Sequence, residues 1–196
     1  MLESELIENE AENCFQSKPP AKIPESNPVA TLFPFKEWIP TIIMCAALFF
    51  SINFFTARVR VIGDSMYPTL EEGELLLVDR MRFREGSFQR GDIIVFNHPI
   101  SRDRHLVKRI IGLPGEKIKI ENGVIYINGK ALKETYLGSP TNYESEFRVP
   151  ANSYYVLGDN RDYSSDSHNW GFLPAHEIIG KAVAIYYPLN RFSFLN

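Results

Sequence analysis

Residues 105–130 read HLVKRIIGLPGEKIKIENGVIYINGK. Within them, two short runs of alternating apolar residues, 117–121 and 124–127, are separated by Asn122-Gly123, and Asn128-Gly129 follows the second. Asn-Gly between such runs is the strongest short hairpin signal, because both residues tolerate the positive φ of a type I′ turn. Ile118 to Ile120 is therefore expected to pair with 124–127. The turn Leu113-Pro114-Gly115-Glu116 separates this hairpin from an apolar strand over 105–112. Further β-rich runs lie at 57–62, 75–79, 92–97, 154–157 and 181–187, each bounded by turn residues. After residue 58 no stretch keeps a 3.6-residue period for three turns, which leaves room for short helical pieces near 69–72 and 174–178. The pattern predicts a mainly β fold of antiparallel sheets.

Upstream the pattern changes. Residues 39–57 read IPTIIMCAALFFSINFFTA, without a charge, between Lys36-Glu37-Trp38 and Arg58 and Arg60. At about 1.5 Å per residue the run spans about 28 Å, close to the hydrocarbon thickness of a bilayer. No basic start precedes it and no small-x-small site follows it, so it reads as a retained transmembrane anchor over 37–57 and not a cleaved signal peptide. Residues 1–37 hold seven Glu against three Lys, a net −4 that leaves the remainder at +1. Residues 1–36, rich in Glu, Pro, Ser and Asn, are expected to be a disordered acidic tail. Residues 58–196 then form a β-domain. It is near neutral and shows no clustered Lys/Arg face, which excludes duplex nucleic acid as a partner. The two cysteines, Cys14 and Cys45, both precede it, so it has no disulfide framework and no Cys-based metal site.

Three segments carry chemistry. In Gly63-Asp64-Ser65-Met66-Tyr67-Pro68-Thr69-Leu70, Gly and Pro flank a serine on a sharp turn, which can present a nucleophile or can be only a turn. In the 105–112 strand, alternation puts Leu106, Lys108 and Ile110 on one face and His105 on the other. A lysine between apolar neighbours either snorkels to water or is desolvated. In the second case its pKa falls from about 10.4 towards 7, where it can take a serine proton. The third segment, 157–171, holds Asp159, Asp162, Asp166, Arg161, His168 and three serines. It reads as a hydrogen-bonding loop or, less well since it lacks the EF-hand spacing, a calcium loop.

Together these segments resemble the boxes of type I signal peptidases, in identity, order and spacing, over residues 36 to about 188. The boxes are the Gly-Asp-Ser-Met-Tyr-Pro-Thr-Leu turn, the Arg90-Gly91-Asp92-Ile93-Ile94-Val95-Phe96 strand, Lys108-Arg109 and Gly158-Asp159-Asn160-Arg161. The resemblance implies a signal-peptidase-like β-domain behind one N-terminal transmembrane helix. It implies an endopeptidase that removes signal peptides from preproteins after a small-x-small site, without metal or cofactor. Ser65 would be the acylated nucleophile and Lys108 the general base. Ser164 would hydrogen-bond and orient the lysine, Asp159 would pair with Arg109, and Asp166 would brace the loop beneath. By the same analogy Ile62, Met66, Leu106 and Val107 shape the small-residue pockets for a peptide held by β-augmentation. It also implies a single-pass protein of the cytoplasmic membrane, working as a monomer against the bilayer, with the tail in the cytoplasm and the catalytic domain outside. Two departures stand out: Gly63 replaces a serine that assists the oxyanion hole in relatives, and His168 replaces an arginine that pairs with the residue matching Asp166. The dyad is shared with self-cleaving repressors, but those are soluble and carry a DNA-binding module. A Ser65-His105-Asp hydrolase and a non-enzymatic scaffold are the remaining alternatives.

Overall fold

The structure is a computed structural model and describes residues 35–81, 88–101 and 104–195; the expected acidic tail lies, up to residue 34, outside the described residues. The chain divides into two units, one ending at Met44 and one running from Cys45. The helix α1 (Phe35–Phe55) begins in the first and ends in the second. Its window Trp38–Phe55 has a mean hydropathy of 1.9 and is long and apolar enough to cross a membrane. Its side chains are unburied there, as a helix facing lipid requires. The polar groups near its end are satisfied along the helix: Asn53 Nδ2 donates to the Phe49 carbonyl and Thr56 Oγ1 to that of Ile52, each at 2.8 Å.

The β-domain follows without a linker. Its strands are β1 (Thr56–Arg60), β2 (Leu75–Asp79), β3 (Ile93–Asn97), β4 (His105–Gly112), β5 (Lys117–Glu121), β6 (Val124–Ile127), β7 (Lys130–Ala131), β8 (Ser145–Arg148), β9 (Ser153–Leu157), β10 (Leu173–Pro174), β11 (Ile178–Tyr187) and β12 (Ser193–Phe194). The larger sheet has the order β1-β2-β11-β3-β4-β9-β10, with β12 on β11, and the smaller has the order β7-β6-β5-β8. Neighbouring strands in both are antiparallel. The predicted hairpin forms with Ile118 opposite Ile127 and Ile120 opposite Ile125. Asn122 and Gly123 sit at φ 49° and 79°, and Asn128 and Gly129 at 49° and 83°, so the second Asn-Gly makes another such turn, into β7.

Three buried clusters organise the domain. One, under the Ser65 turn, joins Val61, Met66, Leu70, Leu76, Ile93 and Ala182. A second joins Ile94, Phe96, Ile110, Tyr154 and Ile178, and a third packs the small sheet against Tyr155 and Leu157. The apolar run of 39–57 is cut short at its end, since residues 56 and 57 belong to β1. No helix forms at 69–72, where residues make turns; at 174–178 a 3-10 turn covers Ala175–Glu177. The strands β7, β8, β10 and β12 were not expected from the sequence. The pattern of β8, Ser-Glu-Phe-Arg, has one apolar side chain and takes its strand character from pairing with β5.

Candidate active site

Strand β1 leads into the serine turn. The ladder extends past β1 through Val61 N–H to the Glu74 carbonyl at 2.8 Å and Gly73 N–H to the Val61 carbonyl at 3.0 Å. The chain then reverses at Gly63, whose φ of 81° lies where L side chains are strained. Met66 and Leu70, 1% and 0% exposed, anchor the far side of the turn in the first core cluster, leaving Ser65 half-buried between two fixed ends. Asn160 clamps it from the opposite loop, its N–H donating to the Ser65 carbonyl and its Nδ2 to the Asp64 carbonyl, both at 3.1 Å.

Lys108 reaches the same point from β4. It is opposite Ile94 in the sheet and 2% exposed, and its Nζ donates to Ser65 Oγ at 2.6 Å. Burial is the main influence on its charge and lowers its pKa from 10.5 to about 8. The carboxylates of Asp166 and Asp159 pull the other way, so the fall is smaller than the sequence reading expected. His105 is exposed at the start of β4. The basic side chain in contact with Ser65 is therefore Lys108 and not His105.

Beneath the pair lies a layer of buried charge. Arg109 Nε donates to Asp159 Oδ1 at 2.8 Å and Nη2 to Oδ2 at 2.6 Å, with side chains 6% and 0% exposed. Its Nη1 also reaches the Gly91 carbonyl at 2.8 Å, and its guanidinium lies 3.9 Å from the centre of the Tyr136 ring. Tyr136 donates its hydroxyl to Glu134, which is ion-paired with Arg161, and Arg161 in turn donates to Thr141 and to the Gly158 carbonyl. Burial and the Glu134 carboxylate push the Tyr136 phenol well above its ordinary pKa, keeping it a donor. Thr69 Oγ1 donates to Asp159 as well. Asp166 accepts from Gly158 N–H at 3.0 Å and, as N-cap of the short helix α2 (Ser167–Trp170), from His168 N–H at 3.1 Å. Asp159 and Asp166 are thus occupied by protein donors, which leaves Asp162, exposed, as the other carboxylate of the calcium reading.

One expectation needs correcting, and the departure at His168 removes a pair. The Ser164 hydroxyl, expected to hold Lys108, is buried without a hydrogen-bond partner. It lies against Gly158, where a Cβ would come within 2.3 Å of Ser164 Oγ and 2.4 Å of the Ser65 carbonyl. The His168 ring makes no pair with Asp166: it stacks on Tyr143 at 3.6 Å between centres and 11° between planes, and only its backbone N–H meets the carboxylate. Thr69, Glu134, Tyr136, Thr141 and Asn160 were missed as supports. Asn160 sits inside a recognised box, but nothing around Glu134 and Tyr136 marks them as partners of arginines 25 or more residues away.

A groove of about 580 Å³ runs beside the pair, lined by residues 58–62, Ser65, Met66 and 104–108. It brings Ile62, Met66, Leu106 and Val107 to one channel next to Ser65, with Ile62 83% exposed and Met66 forming the buried floor. β1 is the end strand of its sheet, so the side of β1 away from β2 carries no strand neighbour among the described residues.

A family model described as signal peptidase, peptidase S26, matches residues 35–187. Signal peptidase I of Leptolyngbya laminosa is 40% identical over 195 residues, covering 94% of this chain and 95% of its own. A probable signal peptidase I-1 of Synechocystis sp. is 38% identical, covering 87% and 92%. Signal peptidase I S of Bacillus subtilis is 40% identical, covering 79% and 90%.

Proposed function

This chain belongs to the signal peptidase family, peptidase S26, and we propose that it cuts with Ser65 as nucleophile and Lys108 as general base. It is a membrane-anchored endopeptidase that removes signal peptides from preproteins. The observation that carries the assignment of its residues is the 2.6 Å hydrogen bond between Lys108 Nζ and Ser65 Oγ, made by a lysine whose pKa burial lowers to about 8.

In the neutral form the Lys108 lone pair accepts the Ser65 proton as Oγ attacks the scissile carbonyl carbon. The tetrahedral intermediate collapses by breaking the C–N bond, and the Lys108 ammonium returns the proton to the departing amine. That leaves the signal peptide as an ester on Ser65. Water then attacks the ester carbonyl, Lys108 again taking and returning one proton, and releases the carboxylate. The Ser65 N–H is available to the oxyanion. Gly63 has no hydroxyl to add a second donor. Arg109, Asp159, Asp166 and Arg161 hold the two reacting chains in register as positioning residues.

The substrate is proposed to lie extended in the groove with its acyl side between β1 and β4, its small side chains against Ile62, Met66, Leu106 and Val107. Every reacting group comes from one chain, which supports a monomer. α1 is proposed to cross the cytoplasmic membrane once, with the N-terminus inside and the β-domain outside against the bilayer. The test is cleavage of a preprotein with an Ala-x-Ala site in detergent. Ser65→Ala and Lys108→Ala are expected to be inactive and His105→Ala to keep most of its activity; a dispensable Lys108 would falsify the assignment of the base.

A further inference from the structure

The groove beside Ser65 is polarised along its length. Along the order β1-β2-β11-β3-β4 every neighbour is antiparallel, so β1 and β4 run in the same direction. Ser65 follows the C-terminal end of β1, and Lys108, in the middle of β4, is the last residue of that strand to line the groove. Towards the other end of the same groove stand Arg58, Arg104 and His105, with Arg60 between Arg58 and Ile62, all exposed. No Asp or Glu lines the groove, and none of these four makes an ion pair with a described residue. The adjoining Arg102 and Asp103, outside the described residues, cancel in charge. A domain of net charge about +1 thus gathers three guanidiniums along this groove with no carboxylate among its described lining residues.

We propose that this basic end selects the charge of the substrate, favouring acidic and rejecting basic side chains upstream of the cut. It rests on the reading of Ser65 and Lys108 and on the acyl side of the peptide lying in the groove. An extended chain advances about 3.3 Å per residue, so with the small side chains near Ile62 the segment passing Arg60, Arg58 and Arg104 is roughly four to seven residues before the cut. Like charges brought side by side there raise the free energy of the complex, and opposite charges lower it. The groove discriminates by exclusion as much as by attraction: a preprotein segment carrying Lys or Arg close to its cleavage site meets a field of its own sign.

The test uses the full chain in nonionic detergent and three peptides sharing an Ala-x-Ala site, with Glu, Gln or Lys five residues before the cut. The expected order of kcat/KM is Glu above Gln above Lys, with about fivefold between the ends at low salt, shrinking as salt screens the exposed charges. The double variant Arg58→Glu, Arg60→Glu is expected to reverse the order and Arg104→Gln to narrow it. Because the readout is a ratio within one enzyme, loss of overall rate in a variant does not affect it. Equal rates for the three peptides in the wild type, or an unchanged order in the double variant, overturn the proposal. So does indifference to peptide charge combined with an Arg58- and Arg60-dependent response to phosphatidylglycerol vesicles, which would assign this end to lipid headgroups. If none of the peptides is cut, or if Ser65→Ala still cuts them, the reading of the dyad falls, and this inference with it.

Discussion

Lys108 is 2% exposed on β4, and taking its ammonium out of water lowers its pKa from 10.5 to about 8. At pH 7 about one-tenth of the molecules then carry the neutral amine, against less than a thousandth for an ordinary lysine. Activity should accordingly rise with pH and level off above 8, a limb read from kcat/KM, which reports the free enzyme. The same burial costs stability. The folded pKa lies below the unfolded one, so between pH 8 and 10.5 the unfolded chain binds more protons and stability rises with pH. The penalty is complete below 8 and gone above 10.5, with a ceiling of about 3 kcal/mol. Lys108→Met, similar in size and uncharged, should therefore unfold at a higher temperature than the wild type at pH 7, the gap closing as the pH passes 10. A gap that does not change with pH would mean the charge is not what strains the site.

The elements around Ser65 are tied by contacts that leave little tolerance. The loop from Gly158 passes so close to the serine turn that a Cβ at 158 would sit 2.4 Å from the Ser65 carbonyl. The Asn160 N–H, two residues on, bonds that same oxygen. Gly158→Ala should push the loop and the turn apart by something like an ångström and lower kcat by about a hundredfold, with the fold kept. A circular dichroism spectrum and melting curve close to wild type beside the lost rate would locate the defect; wild-type activity would show that the turn can move freely. The sequence makes the hairpins legible because Asn-Gly encodes a backbone conformation within two residues. It makes the face of Lys108 legible because alternation is local. Arg161 with Glu134 was beyond reach, since 27 residues separate them and only the folded loop brings them together. Ser164 shows the limit of analogy: the resemblance gave it a partner, while the structure leaves its oxygen unpartnered.

At the scale of the whole molecule, each residue assigned to the reaction or to its groove lies at or after Arg58, in the unit that runs from Cys45. The acidic first 30 residues contribute none of them. A chain lacking residues 1–30 should cleave a preprotein at the wild-type rate in detergent, and a loss of rate would give that segment a part in the reaction. The end position of β1 in its sheet has a further implication for timing. A strand with one open side accepts a guest by its main-chain N–H and C=O groups, and a helix has none to offer because its own are already paired. With the substrate held on this edge as proposed, a targeting sequence that crosses lipid as a helix would have to uncoil over its last few residues before the edge could grip it, so the tendency of that stretch to unravel would become part of what makes a preprotein cleavable, and a sequence that held its helix to the end would pass by uncut.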